Sequence, residues 1–544
     1  MISTKYFGYS RRIQPGTTAR FTFLCIAVWG SLVLSTDQAQ GQEMMGLNGS
    51  NYAGTAGAHI NPSSLSNFPH KWEVHLLTLD FMVDNNYAHM PKTSLMSEYK
   101  RSKNLGSNYE LQQSDFVYPQ TSFSKKSAYV NVLLKVPSVL FRIKDHRFAL
   151  INNGARFITS ANHVNFTVPK FLDSEGDSLT LDFSSANLDI SKFRINAMAW
   201  AEYGITYSTL ISQTNSTKTH IGISIKRLHG FASGFLLNNG VAFDFTPQQT
   251  ALTRIDVEYG YIDVQNLGGN SAGYQGLISG KGMGFDLGAT FVMKRKYRTG
   301  GIDRVELGRN HPTNYGTRIG ISLIDMGRIN FDSNVQKFKV DKFTRNDSIA
   351  DMDVLVNSEL YQFPDQSQPG AQFSMRLPTA LSVQVDYKIR RNVFVNATAI
   401  QRIVLPGPGI DRANQLSITP RFELKWLGFS MPLSLYQFKR PRLGAALRIG
   451  PLWIGSDKIG SWFFPGKFSG TDFFISLRIL PLHKSKKKKR KRAEKEKRVT
   501  DLPCSFMPYR SVKWIRALIN NLKRKRKASK FGALNNADHG VPKQ

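Results

Sequence analysis

Three residue groupings in this 544-residue sequence could support chemistry. They are a glycine-rich run, GKGMGFDLG (Gly280 to Gly288), the close carboxylates Asp256 and Glu258, and a dense basic run, KSKKKKRKRAEKEKR (Lys484 to Arg498). A glycine loop cradles phosphate where a helix N-terminus follows to face the anion. Here a strand pattern follows, so the glycines read as places of close backbone approach. Asp256 and Glu258 fall on one face of an alternating segment, which suits paired lumen residues better than an acid and base couple. No GxSxG elbow, HExxH or paired Cys/His set occurs, so the sequence predicts no enzyme, no metal and no cofactor.

The basic run raises nucleic acid as a partner, and the formal charge of +33 points the same way. Its distribution argues otherwise. Residues 484–544 carry 21 Lys+Arg against 4 Asp+Glu, about half of the excess in a short tail. A nucleic-acid domain would spread a basic stripe over a folded surface. At the other end Lys5, Arg11, Arg12 and Arg20 precede FTFLCIAVWGSLVLS (Phe21 to Ser35) and a small-residue Ala39-x-Gly41 site. That order describes a secretory signal peptide, and the apolar run is shorter than the roughly 20 residues of a membrane helix. Export removes nucleic acid from the expected partners. Only Cys504 would survive cleavage, which excludes an internal disulfide. The tail is then a solvated arm or an attachment to anionic headgroups, and Val512, Ile515, Leu518, Ile519 and Leu522 outline a basic amphipathic helix within it.

These residues must be positioned by short alternating segments, which run from Trp72 to about Leu482 with almost no helical periodicity. In WAEYGITYS, Tyr203, Ile205 and Tyr207 oppose Glu202, Gly204, Thr206 and Ser208. HIGISIKR follows after a polar loop and completes a hairpin. RIDVEYGY, GFDLGATFVM, RIGISL, LSVQVDYK and TDFFISLRI repeat the pattern. Ionisable residues recur on the face opposite the apolar one: Glu202, Lys226, Asp256, Glu258, Asp286, Arg318, Asp386 and Arg478. A soluble sandwich and a lipid-facing barrel with a polar lumen both produce such alternation. One unbroken strand region of about 410 residues behind a signal peptide favours the barrel, because sandwich domains close near about 100 residues.

The fold class read from the sequence is all-β: a transmembrane antiparallel β-barrel of about 14 strands with an N-terminal luminal plug segment. The expected domains are a signal peptide (1–41), the plug (42–70), the barrel (71–483) and a basic periplasmic tail (484–544). An even strand count puts both ends of the barrel on the periplasmic side, with a short turn at Arg390 to Asn392. The longer inserts Arg298 to Thr313 and Asn330 to Gln372 are expected outside the cell.

Several motifs together carry a family resemblance: GLNGSNYAG, HINPSSLSN, VPSVLFRIKDHRFALINNGARF, WAEYGITYS, HIGISIKRLHGFASG, GKGMGFDLGA, RIGISLIDMGRI, LPTALSVQVDYK and GAALRIGPLWIGSD. In this order they resemble an uncharacterised family of Gram-negative outer-membrane barrels. That family looks distantly related to the long-chain fatty-acid transport proteins and to barrels associated with type IX secretion. The resemblance implies an outer-membrane location, a surrounding of outer-membrane lipid, insertion by the barrel-assembly machinery and a hydrophobic small-molecule ligand. It also implies that Asn61 and Pro62, with Ser63 and Ser64, form a hatch inside the lumen. Asn61, Pro62 and Ser63, with Glu202, Asp256, Glu258, Asp286, Arg318 and Asp386, are thus the candidate plug and lumen residues. The competing expectation is a barrel that transports nothing and anchors periplasmic or surface proteins.

Overall fold

The computed structural model describes residues 43–118, 126–164, 188–190, 192–246, 249–263, 277–294, 296–299, 302–305, 315–343 and 372–481. The expected signal peptide and the basic tail with its expected amphipathic helix lie outside the described residues.

Fourteen antiparallel strands close into one barrel. They are β1 (Trp72–Asn85), β2 (Lys126–Lys135 and Ser138–Ile143), β3 (His146–Val164), β4 (Phe193–Gln213) and β5 (Thr217–Thr246). Next come β6 (Gln249–Ile262 and Gly280–Met293), β7 (Thr317–Phe331 and Val335–Phe343), β8 (Phe373–Arg376 and Ala380–Arg390) and β9 (Val393–Arg402). The circuit ends with β10 (Gln415–Glu423), β11 (Leu427–Ser430 and Leu433–Tyr436), β12 (Arg440–Leu443 and Ala445–Ile449), β13 (Leu452–Ser456) and β14 (Gly470–Ile479). β14 returns to β1, with Val74 opposite Ile479 and Asp84 opposite Gly470, so the sheet has no free edge around the belt. Closure satisfies the backbone groups that an open sheet would leave bare in lipid.

Alternation predicts which way the side chains point. Ile205, Ile221, Ile223, Ile225, Leu287 and Ile321 are exposed on the outer wall, while Glu202, Thr206, Ser208, Ser224 and Asp286 are buried inside. The pairing of Gly204 with Lys226 and of Thr206 with Ser224 confirms the hairpin expected for WAEYGITYS and HIGISIKR.

Two expectations are corrected. The connection from β6 to β7, which contains Arg298 to Thr313, leaves the wall where Met293 opposes Thr317, and Thr317 in turn opposes Tyr387. The chain therefore leaves and re-enters the wall at the same end as the Arg390 to Asn392 turn, the start of β1 and the end of β14. Loop length alone misassigned this connection, because a hairpin insert at either end leaves the alternation unchanged. The lumen, moreover, is not polar throughout. Away from that end its inner surface is a buried apolar cluster that includes Met198, Trp200, Phe235, Phe331, Phe373 and Met375.

At the loop end stand two helices, α2 (Leu95–Leu105) and α3 (Gly460–Phe463), against each other. Ser94 caps α2 by accepting from the Ser97 amide.

Candidate functional site

Residues 43–70 fold inside the barrel as α1 (Met45–Asn48) and two 3₁₀ turns, Gly54–His59 and Pro62–Asn67. Nearly every residue of this segment is buried, and Met44, Met45, Leu47, Ile60, Leu65 and Phe68 pack into apolar clusters shared with the wall. Many of its polar groups are paired with the inner wall as well. Asn61 caps the second turn: its Oδ1 accepts from the Ser63 amide at 3.0 Å and the Ser63 hydroxyl at 2.6 Å, and Pro62 supplies a preset φ at the first position. The same side chain reaches the wall through Nδ2, which donates to Gln384 Oε1 at 2.9 Å. Ser63 meets Thr290 at 2.5 Å, Ser66 meets Ser208 at 2.7 Å, and Ser322 donates to the Ile60 carbonyl.

Glycines on the wall make this approach geometrically available. A Cβ at Gly288 would lie 2.2 Å from Asn61 Oδ1, and one at Gly222 would lie 2.4 Å from the Ser63 backbone nitrogen. Gly288, the last glycine of the run, thus forms with Gly222 and Gly320 a seat for Asn61 to Ser63, while Gly282 closely approaches the neighbouring backbone at Arg328, as expected of the run.

Two ionic clusters lock the segment in place. In the first, Asp325 receives Arg156 at 3.1 Å, Lys226 at 2.7 Å and Arg412 at 2.8 Å. Lys226 also pairs with Asp286 at 2.9 Å, and Arg156 lies 3.6 Å from Glu202 and over the Trp200 ring. Arg412 continues to Glu43 of the N-terminal segment, with its Nη2 2.7 Å from Oε2. In the second, Asp386 accepts from Arg318 at 2.6 Å and Arg421 at 2.8 Å, and the Tyr315 hydroxyl donates to it at 2.7 Å. Arg318 also donates to Asn51 Oδ1 at 3.1 Å, while Ser50 and Asn51 donate to Glu423. Further ties run from the Met45 amide to Asp457 and from Arg478 to the Tyr52 and Ala53 carbonyls.

Burial, with Lys135, Arg412 and Arg156 nearby, pushes the His59 imidazole well below its ordinary range, so it is neutral inside the lumen. Burial and the neighbouring Asp472 carboxylate push Asp457 up to about 7.

Of the residues singled out by sequence, Glu202 and Asp286 join the first cluster, Arg318 and Asp386 the second, and Asn61, Pro62 and Ser63 the glycine seat. Asp256 and Glu258 join neither. Asp256 accepts from Asn239 at 3.1 Å and Glu258 pairs with Lys337 at 3.1 Å, farther along the β5 to β7 wall. The reading missed Asp325, Arg156, Arg412, Glu43, Arg421 and Glu423. Asp325 is hidden by a backbone irregularity: its φ of 53° coincides with a register shift between β6 and β7, after which consecutive Ile324 and Asp325 are both buried.

The chain belongs to a family of unknown function (DUF5723), whose model matches residues 62–457. Among curated proteins none is similar enough to match. Solved structures to which it is similar include the toluene transporter TbuX of Ralstonia pickettii and a FadL homologue of Pseudomonas aeruginosa, each 12% identical with a TM-score of 0.35, covering 82% of this chain and 99% of theirs. A mutant of the TodX monoaromatic hydrocarbon channel is 10% identical over the same shares, with a TM-score of 0.39.

Proposed function

We propose that this chain is an outer-membrane barrel that binds and passes a hydrophobic small molecule, with residues 43–70 acting as a hatch. The observation that carries the reading is the division of the lumen. A buried apolar cluster of Trp200, Phe235, Phe331, Phe373 and Met375 lies in the lumen beyond the seat that holds the hatch. An apolar inner surface has no use in a barrel that conducts ions, and it suits an apolar solute. The hatch is held by hydrogen bonds and ion pairs that can be exchanged for water when it moves, and by apolar contacts of Met44, Leu47, Ile60, Leu65 and Phe68 that its displacement would break. Its displacement would open a path from that apolar region to the other end.

The test is deletion of Gly46 to Phe68 in protein reconstituted in planar bilayers and in cells. Conductance and uptake of labelled fatty acid or toluene should rise at least tenfold; unchanged values for both would sink the hatch and the transport reading.

A second reading is favoured by one surface. At the loop end Tyr99, Phe463 and Phe464 are 63%, 54% and 67% exposed, an aromatic patch on α2 and α3 that fits a protein partner. In that case the barrel is a non-transporting anchor, associated with structure or secretion. Co-purification of a surface protein that disappears on Phe463→Ser with Phe464→Ser, together with unchanged uptake after the hatch deletion, would select it.

A further inference from the structure

The outer wall carries a group of basic side chains that the transport reading does not use. Arg227 on β5, Lys281 on β6 and Arg328 on β7 are exposed and face outward. Arg227 and Arg328 both oppose Met283, one from each neighbouring strand, which sets their Cα atoms about 10 Å apart. Lys281 is two residues from Met283 on the same strand and face, opposite His229 and Asn330. Among the described residues none of the three cations has a carboxylate partner. This contrasts with the interior, where Arg156, Lys226, Arg318, Arg412 and Arg421 are all paired.

The height of the group along the wall is informative. From the turn end, β5 presents Ile221, Ile223 and Ile225 to the outside before Arg227. Ten residues of strand from Thr217, tilted by about 40°, rise about 25 Å, which is the height of a barrel's apolar band. The cations therefore stand where hydrocarbon gives way to headgroups, on the side away from the chain ends. Between them is a depression of about 410 Å³ whose lining joins Arg227, Lys281, Arg328 and Asn330 to the apolar Met283 and Phe285. A cationic rim above an apolar floor is the complement of a molecule with an anionic head and acyl chains.

We infer that Arg227, Lys281 and Arg328 form a binding site on the outer wall for the phosphate-bearing headgroup of a bilayer lipid, whose chains lie over Met283 and Phe285. The inference rests on the membrane-barrel reading but not on transport. Phosphate oxygens would take charge-assisted hydrogen bonds from the two guanidinium groups and the ammonium.

The test uses the full-length barrel in neutral detergent, with diphosphorylated lipid A, its dephosphorylated form and inorganic phosphate as separate probes. Binding is read as the shift in the temperature at which boiling-sensitive gel migration is lost. The wild-type barrel should be stabilised by the phosphorylated lipid alone. The R227Q/K281Q/R328Q variant should bind it roughly a hundredfold more weakly, taking each basic side chain as worth about fivefold against a charged lipid surface. Equal stabilisation by the dephosphorylated lipid, an effect of inorganic phosphate alone, or an unaltered triple variant would each overturn the site. A variant that retains boiling-sensitive migration but loses lipid binding supports it. Absence of such migration in the wild type would instead remove the membrane-barrel reading itself.

Discussion

Asp325 shows at the scale of one residue why the interior is built of ions. Three cations converge on its carboxylate in a site closed to water, and each would be strongly disfavoured there alone. Asp325→Asn keeps the shape and removes the charge, so it should cost about 3–5 kcal/mol of stability. That loss would appear as a large fall in the temperature at which boiling-sensitive migration disappears; a fall of only a degree or two would mean that the cluster has other counter-charges. His59 gives a pH dependence of defined sign. Docked, it is neutral; undocked, it takes a proton below about pH 6.5, so acid favours release of the hatch. Docking is fully supported above that pH and weakens by up to about 1.4 kcal/mol per unit below it. Proteolysis of the hatch at pH 7.5 and pH 5 should show faster cleavage in acid, and His59→Gln should flatten the difference. Alternation made Glu202, Asp286, Arg318 and Asp386 readable in the sequence. Asp325 was not, since counting by twos from Ile321 and Leu323 sends it to the lipid side. Glu43 and Arg412 lie outside strands, where no period exists to place them.

At the scale of elements, the hatch and the wall meet through side chains that leave little slack. Ser63 and Thr290 approach closely enough for a disulfide to replace their hydrogen bond. In a chain with Cys504→Ser, the pair Ser63→Cys and Thr290→Cys should cross-link on oxidation. Uptake should then cease and return on reduction; full uptake in the cross-linked form would show that the hatch need not leave its seat. The strands themselves were legible because lipid outside and ions inside impose a strict two-residue period. The apolar cluster in the lumen was not, because Trp200 and Phe235 are inward residues of a type that the pattern assigns to lipid. A period reports which residues share a face and leaves open which face meets the bilayer. Likewise the β6 to β7 connection could be placed at one end only through the pairing of Thr317 with Tyr387.

For the whole molecule, closure by β14 on β1 is complete at Ile479. Truncation after His483 should therefore leave boiling-sensitive migration and its midpoint temperature unchanged, whereas its loss would assign the basic tail a part in closing the barrel. The same topology orders events in time. The hatch is made first, yet its partners Glu423, Asp457 and Arg478 lie 372, 412 and 426 residues further along the chain. Contacts so distant in sequence form late, after the intervening wall is in place. The segment translated ahead of the wall is thus the last to find its seat, and until the final strand arrives part of its binding surface is missing. A chain truncated before β14 would lack the Arg478 contacts to Tyr52 and Ala53 and leave that segment less firmly seated, so added protease should cleave it faster.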